Sequence, residues 1–190
     1  MNISKYRQIF LILFVCLLFA QPGAAEWKQQ RSGTFAWLRS VFFVDANRGW
    51  IAGSQGTLLL TINGGQSWQK AKKFTDDNVW DVYFSDAKNG WLLCESDIYS
   101  ARPPNSYLLQ TRDGGNNWER VEFPGSRNRI VRFFFTKDGF GTAVGEGGTI
   151  WKMLDDKKTW KSKELPSRSL VLAGAFVDEF NGVLAGGAGK

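Results

Sequence analysis

Histidine is absent from all 190 residues. That removes Ser-His-Asp and Cys-His relays and every His-based metal site, so an enzyme on this chain would have to work with carboxylates, Arg and Tyr. Cysteine is nearly absent as well, with only Cys16 and Cys94. Cys16 lies in an N-terminal segment expected to be cut off, which leaves one thiol and excludes an intramolecular disulfide. Cys94 falls at a strand end, where a small buried hydrophobe is the expected role. No apolar run reaches the roughly 20 residues that a membrane-spanning helix needs.

Residues 1–25 read as a targeting segment. Lys5 and Arg7 form a basic start, Ile9 to Ala20 is an apolar run, and Gly23-Ala24-Ala25 is a small-residue cleavage site before Glu26. An exported protein is expected, periplasmic or extracellular, with residues 26–190 as its folded part. Two alternatives remain. Cys16 could be a lipidation site, although Phe14 and Val15 are bulky where a lipobox takes small residues, and the segment could be retained as an anchor. Lys and Arg number 24 against 18 Asp and Glu, for a formal charge of +6, of which Lys5 and Arg7 supply two. The remaining mild bias suits acidic partners or peripheral contact with anionic lipid. Nucleic acid is not an expected partner of an exported chain.

What the chain has is a repeat. Gly49 to Trp68, GWIAGSQGTLLLTINGGQSW, returns as GWLLCESD…YLLQTRDGGNNW from Gly90 to Trp118 and as GTAVGEGGTIWKMLDDKKTW from Gly141 to Trp160. A fourth copy begins at Gly182 as GVLAGGAGK. Similar lead-ins precede the copies: LRSVFFVDANRG, VWDVYFSDAKNG, VRFFFTKDGFG and LAGAFVDEFNG. Trp27, Trp68, Trp118 and Trp160 are spaced by 41, 50 and 42 residues. A period near 40 predicts propeller blades or a solenoid.

Within a unit, LRSVFFV, WIAGS, TLLLTI and WQKAKKF are short apolar or aromatic runs bounded by Gly, Asn or Asp, and each reads as a strand. Asn47-Arg48-Gly49, Gln55-Gly56 and Asn63-Gly64-Gly65 are hairpin-turn chemistry. The fold class predicted is all-β: four-stranded antiparallel blades, about three complete units and a partial fourth. The fourth copy stops where its third strand would begin, so an arc of a longer propeller is expected, with a four-unit ring as the alternative. The segment from Trp27 matches the unit ends and is expected to form an outermost strand.

Thr61-Ile62-Asn63-Gly64-Gly65-Gln66-Ser67-Trp68 and Thr111-Arg112-Asp113-Gly114-Gly115-Asn116-Asn117-Trp118 resemble the Asp-box, the Ser/Thr-x-Asp-x-Gly-x-x-Trp turn of bacterial neuraminidase repeats. Asn63 stands where the Asp would be, and its amide oxygen can accept the same bonds. In the third copy only Asp155 and Trp160 survive. The wider unit, Gly-Trp-Ile-Ala-Gly-x-x-Gly-Thr-Leu-Leu-Leu-Thr after Phe-x-Asp-x-x-x-Gly, resembles the photosystem II stability/assembly factor family of propellers. That resemblance implies a non-catalytic scaffold that holds an unassembled membrane-protein client through a basic face.

The client-binding candidates follow from placement. Ser40, Asp81 and Arg132 occupy equivalent positions on the first strands of their units, which line a propeller's axis, and Arg39 neighbours Ser40. Arg39, Arg129 and Arg132 could then gather on one rim, which suits carboxylate or acidic-polypeptide recognition. Arg127 enters the same strand. Trp80 and Trp151 sit at non-repeating positions and are expected at the surface, whereas Trp50, Trp91, Trp68, Trp118 and Trp160 are expected to pack between blades. A 9-residue insert in the second unit, around Tyr99 to Asn105 with Arg102, is a second candidate surface, since binding concentrates on loops. The competing class is a carbohydrate-active enzyme. A sialidase is disfavoured because the Phe/Tyr-Arg-Ile-Pro signature is missing around Arg31 and Arg39. A glucan hydrolase needs two carboxylates about 5 to 10 Å apart, and Asp81 is one conceivable member with no visible second. No cofactor motif is seen. The acid pairs Asp76-Asp77 and Asp155-Asp156 lack the spacing of a calcium loop, so no metal is expected.

Overall fold

A computed structural model describes residues 27–96, 106–121, 123, 128–136, 138–154, 159–166 and 168–187. The targeting segment, Arg102, Arg127 and Asp155 lie outside them. Three antiparallel four-stranded sheets follow one another along the chain. The first is β1 (Leu38–Phe43), β2 (Gly49–Gly53), β3 (Leu58–Thr61) and β4 (Gln69–Lys70); the second is β5 (Asn78–Phe84), β6 (Gly90–Glu95), β7 (Ser106–Thr111) and β8 (Glu119–Val121). The third is β9 (Ile130–Phe135), β10 (Gly141–Gly145), β11 (Thr149–Met153) and β12 (Trp160–Glu164), and a two-stranded sheet, β13 (Leu170–Phe176) and β14 (Gly182–Gly187), begins a fourth blade. Two expectations are corrected. The Lys-rich run after Trp68 gives a strand of only two residues. Residues 27–36 form no strand, and Trp27 is fully exposed, because among the described residues the fourth blade has no third strand for them to pair with.

Neighbouring blades bury each other's faces. Between the first and second, the rings of Trp50 and Phe84 stack with centroids 3.5 Å apart and planes 3° from parallel. Ala52, Leu58, Val82, Leu92, Cys94 and Leu109 close the cluster around them. Burial pushes the Cys94 thiol up, so it stays protonated. Between the second and third, Trp91 lies 4.4 Å from Phe135, and Tyr83 stacks on Phe135 at 4.5 Å.

Trp151 belongs to this second cluster and is 1% exposed, against the surface position expected for it. The reason lies in its cross-strand neighbour. In the second blade Leu92 pairs with Leu109; at the equivalent pair of the third blade, Ala143 faces Trp151. The small residue makes room for the large one, and Gly145 lies under the indole edge.

The hairpin joining the third strand to the fourth is held by its own side chains. The Thr61 hydroxyl donates to Asn63 Oδ1 (2.9 Å) and accepts from the Gly65 N–H (3.0 Å), while the Ser67 N–H donates to Asn63 Oδ1 (3.0 Å). Thr111, Asp113, Gly115 and Asn117 repeat the pattern at 2.8, 2.9 and 2.9 Å. Gly65 and Gly115 adopt φ of 84° and 95°, conformations that L side chains rarely tolerate. Trp68 and Trp118 are half-buried against these glycines and meet Phe43 and Phe84 of their own blades edge-on. Trp160, at the same repeat position, is buried. A second turn device serves the motif Phe-x-Asp-x-x-x-Gly: Asp45 Oδ1 accepts the N–H groups of Asn47 and Arg48, as Asp86 does for Lys88 and Asn89.

Trp50→Ala removes the stacked, buried ring and is expected to cost about 3–5 kcal/mol in urea unfolding; Trp68→Ala, half-buried within one blade, should cost clearly less. The turns also predict an acid response. The Asn117 N–H, then the Asn117 amide and the Thr111 hydroxyl, hold the Asp113 carboxyl down at about 2. A carboxyl lowered by folding adds stability above its unfolded value of about 4, and that contribution is lost as pH falls towards the folded one. Asp113→Asn should therefore flatten the loss of stability over that range, and Asn63→Asp should steepen it, in urea midpoints measured against pH.

Candidate partner-binding rim

The first strand of every blade carries an irregularity at one repeat position. Pairing with the second strand skips a residue between Leu38 and Ser40, between Val79 and Asp81, between Ile130 and Arg132, and between Val171 and Ala173. The residues set out of register are Arg39, Trp80, Val131 and Leu172. A bulge re-aims a side chain and twists the strand locally. Trp80 is thus at a repeating position, shared with Arg39, rather than at the non-repeating one expected.

The bulges bring the sequence candidates together in part. The Arg39 guanidinium lies over the Trp80 ring, 3.8 Å from its centroid, so a cation of the first blade rests on an indole of the second. One residue on, the Ser40 hydroxyl donates to Asp81 Oδ1 at 2.6 Å, and Arg132 Nη1 stands 4.0 Å from Asp81 Oδ2. Ser40, Asp81 and Arg132 therefore form a polar rung across three blades, at the equivalent positions expected. Burial pushes the Asp81 carboxyl above the usual range, against the bonds from Ser40 and the Val82 N–H and the charge of Arg132. The groups that meet this carboxylate are donors and a cation, which hold it as a hydrogen-bonded acid.

Arg129 sits elsewhere in the charge pattern. Its Nε donates to Glu146 at 2.9 Å and its Nη1 to Glu95 at 3.2 Å, tying the third blade to the second. Desolvation opposes its charge, but the bond it donates to Glu146 and the charge of Glu95 outweigh it and raise its pKa. Arg129 thus acts as an interblade clamp, and among the described residues the exposed arginines of the rim are Arg39 and Arg132. Trp37, which precedes β1 at the position equivalent to Arg129, is exposed as well. Arg102 lies outside the described residues.

A feature that the repeat pattern did not single out is a cleft of about 240 Å³ between the outer edge of the first blade and the Gly114-Gly115 turn of the second. Trp50 and Leu60 form its apolar part, and Lys70, Lys72 and Asn116 line it too. Among the described residues, no group of three or more Cys, Asp or Glu is placed to hold a metal ion.

The family model described as "Photosynthesis system II assembly factor YCF48" matches residues 20–163. No curated protein matches the chain. Among solved structures, YCF48 from Cyanidioschyzon merolae is similar at 24% identity and a TM-score of 0.56, over 73% of this chain and 40% of that one. Virginiamycin B lyase from Staphylococcus aureus is similar at 13% identity and a TM-score of 0.54, over 75% of this chain and 47% of that one. A structure titled "YCF48 bound to D1 peptide" matches at 19% identity over 87% of this chain and 82% of that one; with a TM-score of 0.31, its contacts are not carried over. The chain thus spans about 40% of the length of the Cyanidioschyzon merolae protein. The likenesses to the Cyanidioschyzon merolae protein and to virginiamycin B lyase establish the propeller fold. The family match covers well over half of the sequence, and the chain belongs to the Photosynthesis system II assembly factor YCF48 family.

Proposed function

We propose that this chain is an exported, non-catalytic binding propeller that holds a polypeptide client at the rim formed by its first strands. The observation that carries the reading is the Arg39–Trp80 stack standing beside Arg132 on the bulged ends of three successive blades. The Trp80 indole, packed on the second interblade cluster, holds the Arg39 guanidinium in place; the exposed Trp37 offers apolar contact area, and guanidinium edges bind carboxylates with defined geometry. Together they suit an extended segment in which acidic and apolar side chains alternate. The family's description as an assembly factor supports a client awaiting assembly, and a segment of a membrane protein is the client class proposed. The Thr-x-Asn/Asp-Gly-Gly hairpins act in this reading as Asp-box staples that hold each blade rigid behind the rim. Arg102, on the insert of the second blade, is proposed as an outlying contact to the same client. The basic, apolar and small-residue order of residues 1–25 supports export.

The Arg39→Gln/Arg132→Gln double variant sets no like charge against Asp81; it should lose at most about 1–2 kcal/mol of urea stability, the scale of one cation–π contact and one exposed ion pair, and bind an acidic, apolar-alternating peptide at least about tenfold more weakly in fluorescence anisotropy, where each decade is about 1.4 kcal/mol. Arg129→Glu is the comparator. It leaves Glu95 and Glu146 facing a like charge, so it should lower stability before it touches affinity. Equal peptide affinity in the double variant and the wild type would overturn the rim assignment. Export is tested by the N-terminus of the protein recovered from the cell envelope, which should begin at Glu26.

A further inference from the structure

Asp81 sets a negative charge in the middle of a rim suited to acids, and its bonds fix it there. Its Oδ1 accepts the Ser40 hydroxyl at 2.6 Å and the Val82 N–H at 3.0 Å. Its Oδ2 stands 4.0 Å from Arg132 Nη1. A charge-assisted hydrogen bond between such groups is about 2.7–2.9 Å long, so this contact supplies attraction without a hydrogen bond. Among the described residues Arg132 forms no other ion pair, and its side chain is 49% exposed. Its donors are therefore open to an incoming acid. The other groups around Asp81 are differently engaged. Arg39 from β1 lies on the Trp80 ring, apolar Leu93 stands across the ladder on β6, and Glu95 and Glu146 are held by Arg129.

A client carboxylate seated on Arg132 would stand close to Asp81. Two carboxylates on one guanidinium repel each other, and such a pair favours holding one proton between them. Asp81 is the predisposed holder, because burial already pushes its carboxyl above the usual range, against the bonds from Ser40 and the Val82 N–H and the charge of Arg132. We propose that Asp81 is a built-in competitor for Arg132, so that the rim takes an acidic client together with a proton from solvent, which Asp81 carries. This rests on the client-binding rim proposed above and adds a selectivity device to it. A neutral segment leaves the Asp81–Arg132 contact intact, whereas an acidic one replaces it. The sign of the pH response follows: protonation removes the competing charge, so affinity rises as pH falls towards the raised Asp81 value and levels off below it.

The test follows the anisotropy of a labelled peptide that alternates cysteic acid with apolar residues, so that its sulfonates stay ionised throughout. Binding is measured from about pH 7.5 down to about pH 4.5, just above the usual carboxylate range of about 4. The wild type should bind about threefold to fivefold more tightly at the lower end, the scale of one partly exposed ion pair. Asp81→Asn keeps an oxygen for the Ser40 hydroxyl and removes the charge. It should bind at neutral pH as tightly as the wild type does at low pH, with no change between the two. Near-ultraviolet circular dichroism checks the fold of both proteins at each pH. Titration calorimetry of the wild type at the midpoint of its pH response reads the proton itself: the apparent enthalpy should scale with the ionisation enthalpy of the buffer. A pH-independent wild-type affinity, the same pH response in Asp81→Asn, or a buffer-independent enthalpy would each overturn the proposal and leave the rim standing. No peptide binding by either protein at any pH would overturn both.

Discussion

A four-stranded sheet has two apolar faces and cannot bury either by itself. In this protein that constraint is met by a repeated aromatic insertion: Phe84 on Trp50 at one joint, and Phe135 between Tyr83 and Trp91 at the next. Because each joint uses the same register positions, the spacing of blades is set by ring thickness, and substitutions must be compensated locally. The exchange of Leu92 and Leu109 for Ala143 and Trp151 is one such compensation. In the first two blades the third and fourth strands are joined by hairpins whose Thr, Asn and Asp side chains hold the turn from within.

The proposed binding rim is a consequence of the same geometry. Once the blades are locked face to face, the starts of their first strands converge, and a bulge at a fixed position turns one extra side chain out of each ladder. Where the bulged residues are Arg39 and Trp80 they meet across the joint, and the next position gives the Ser40–Asp81–Arg132 rung. The scaffold repeats, but the residues displayed at the rim do not. That difference lets a repeating frame present a surface that does not repeat.

Much of the frame was legible in the sequence because the repeat is written in residues with narrow conformational uses. Thr-x-Asn/Asp-Gly-Gly requires a particular turn, and the run from Gly49 to Gly53 must be a strand that tolerates close neighbours. The equivalence of Ser40, Asp81 and Arg132 could be read from the lead-ins alone. The bulge could not, since a change of pairing register leaves no trace in composition, and so Trp80 looked like a residue out of pattern. Trp151 misled for a related reason: its burial depends on Ala143 across the ladder, a partner that one-dimensional alignment does not pair with it. Arg129 was recognised as a rim cation, but its carboxylates come from Glu95, far away in the chain, and from Glu146 on a turn. The strand expected after Trp27 failed because a strand needs a neighbour, and the matching sequence did not say where that neighbour was.

The claim on which the functional account rests is that a client lies along the starts of the first strands. Hydrogen–deuterium exchange of the protein with and without a bound acidic peptide tests it directly. The account predicts added protection in residues 37–41, 78–82 and 129–132, and none in the hairpins at 61–68 and 111–118. Protection confined to those hairpins, or to the outer strands β4 and β8, would place the client on the opposite side of the blades and contradict it.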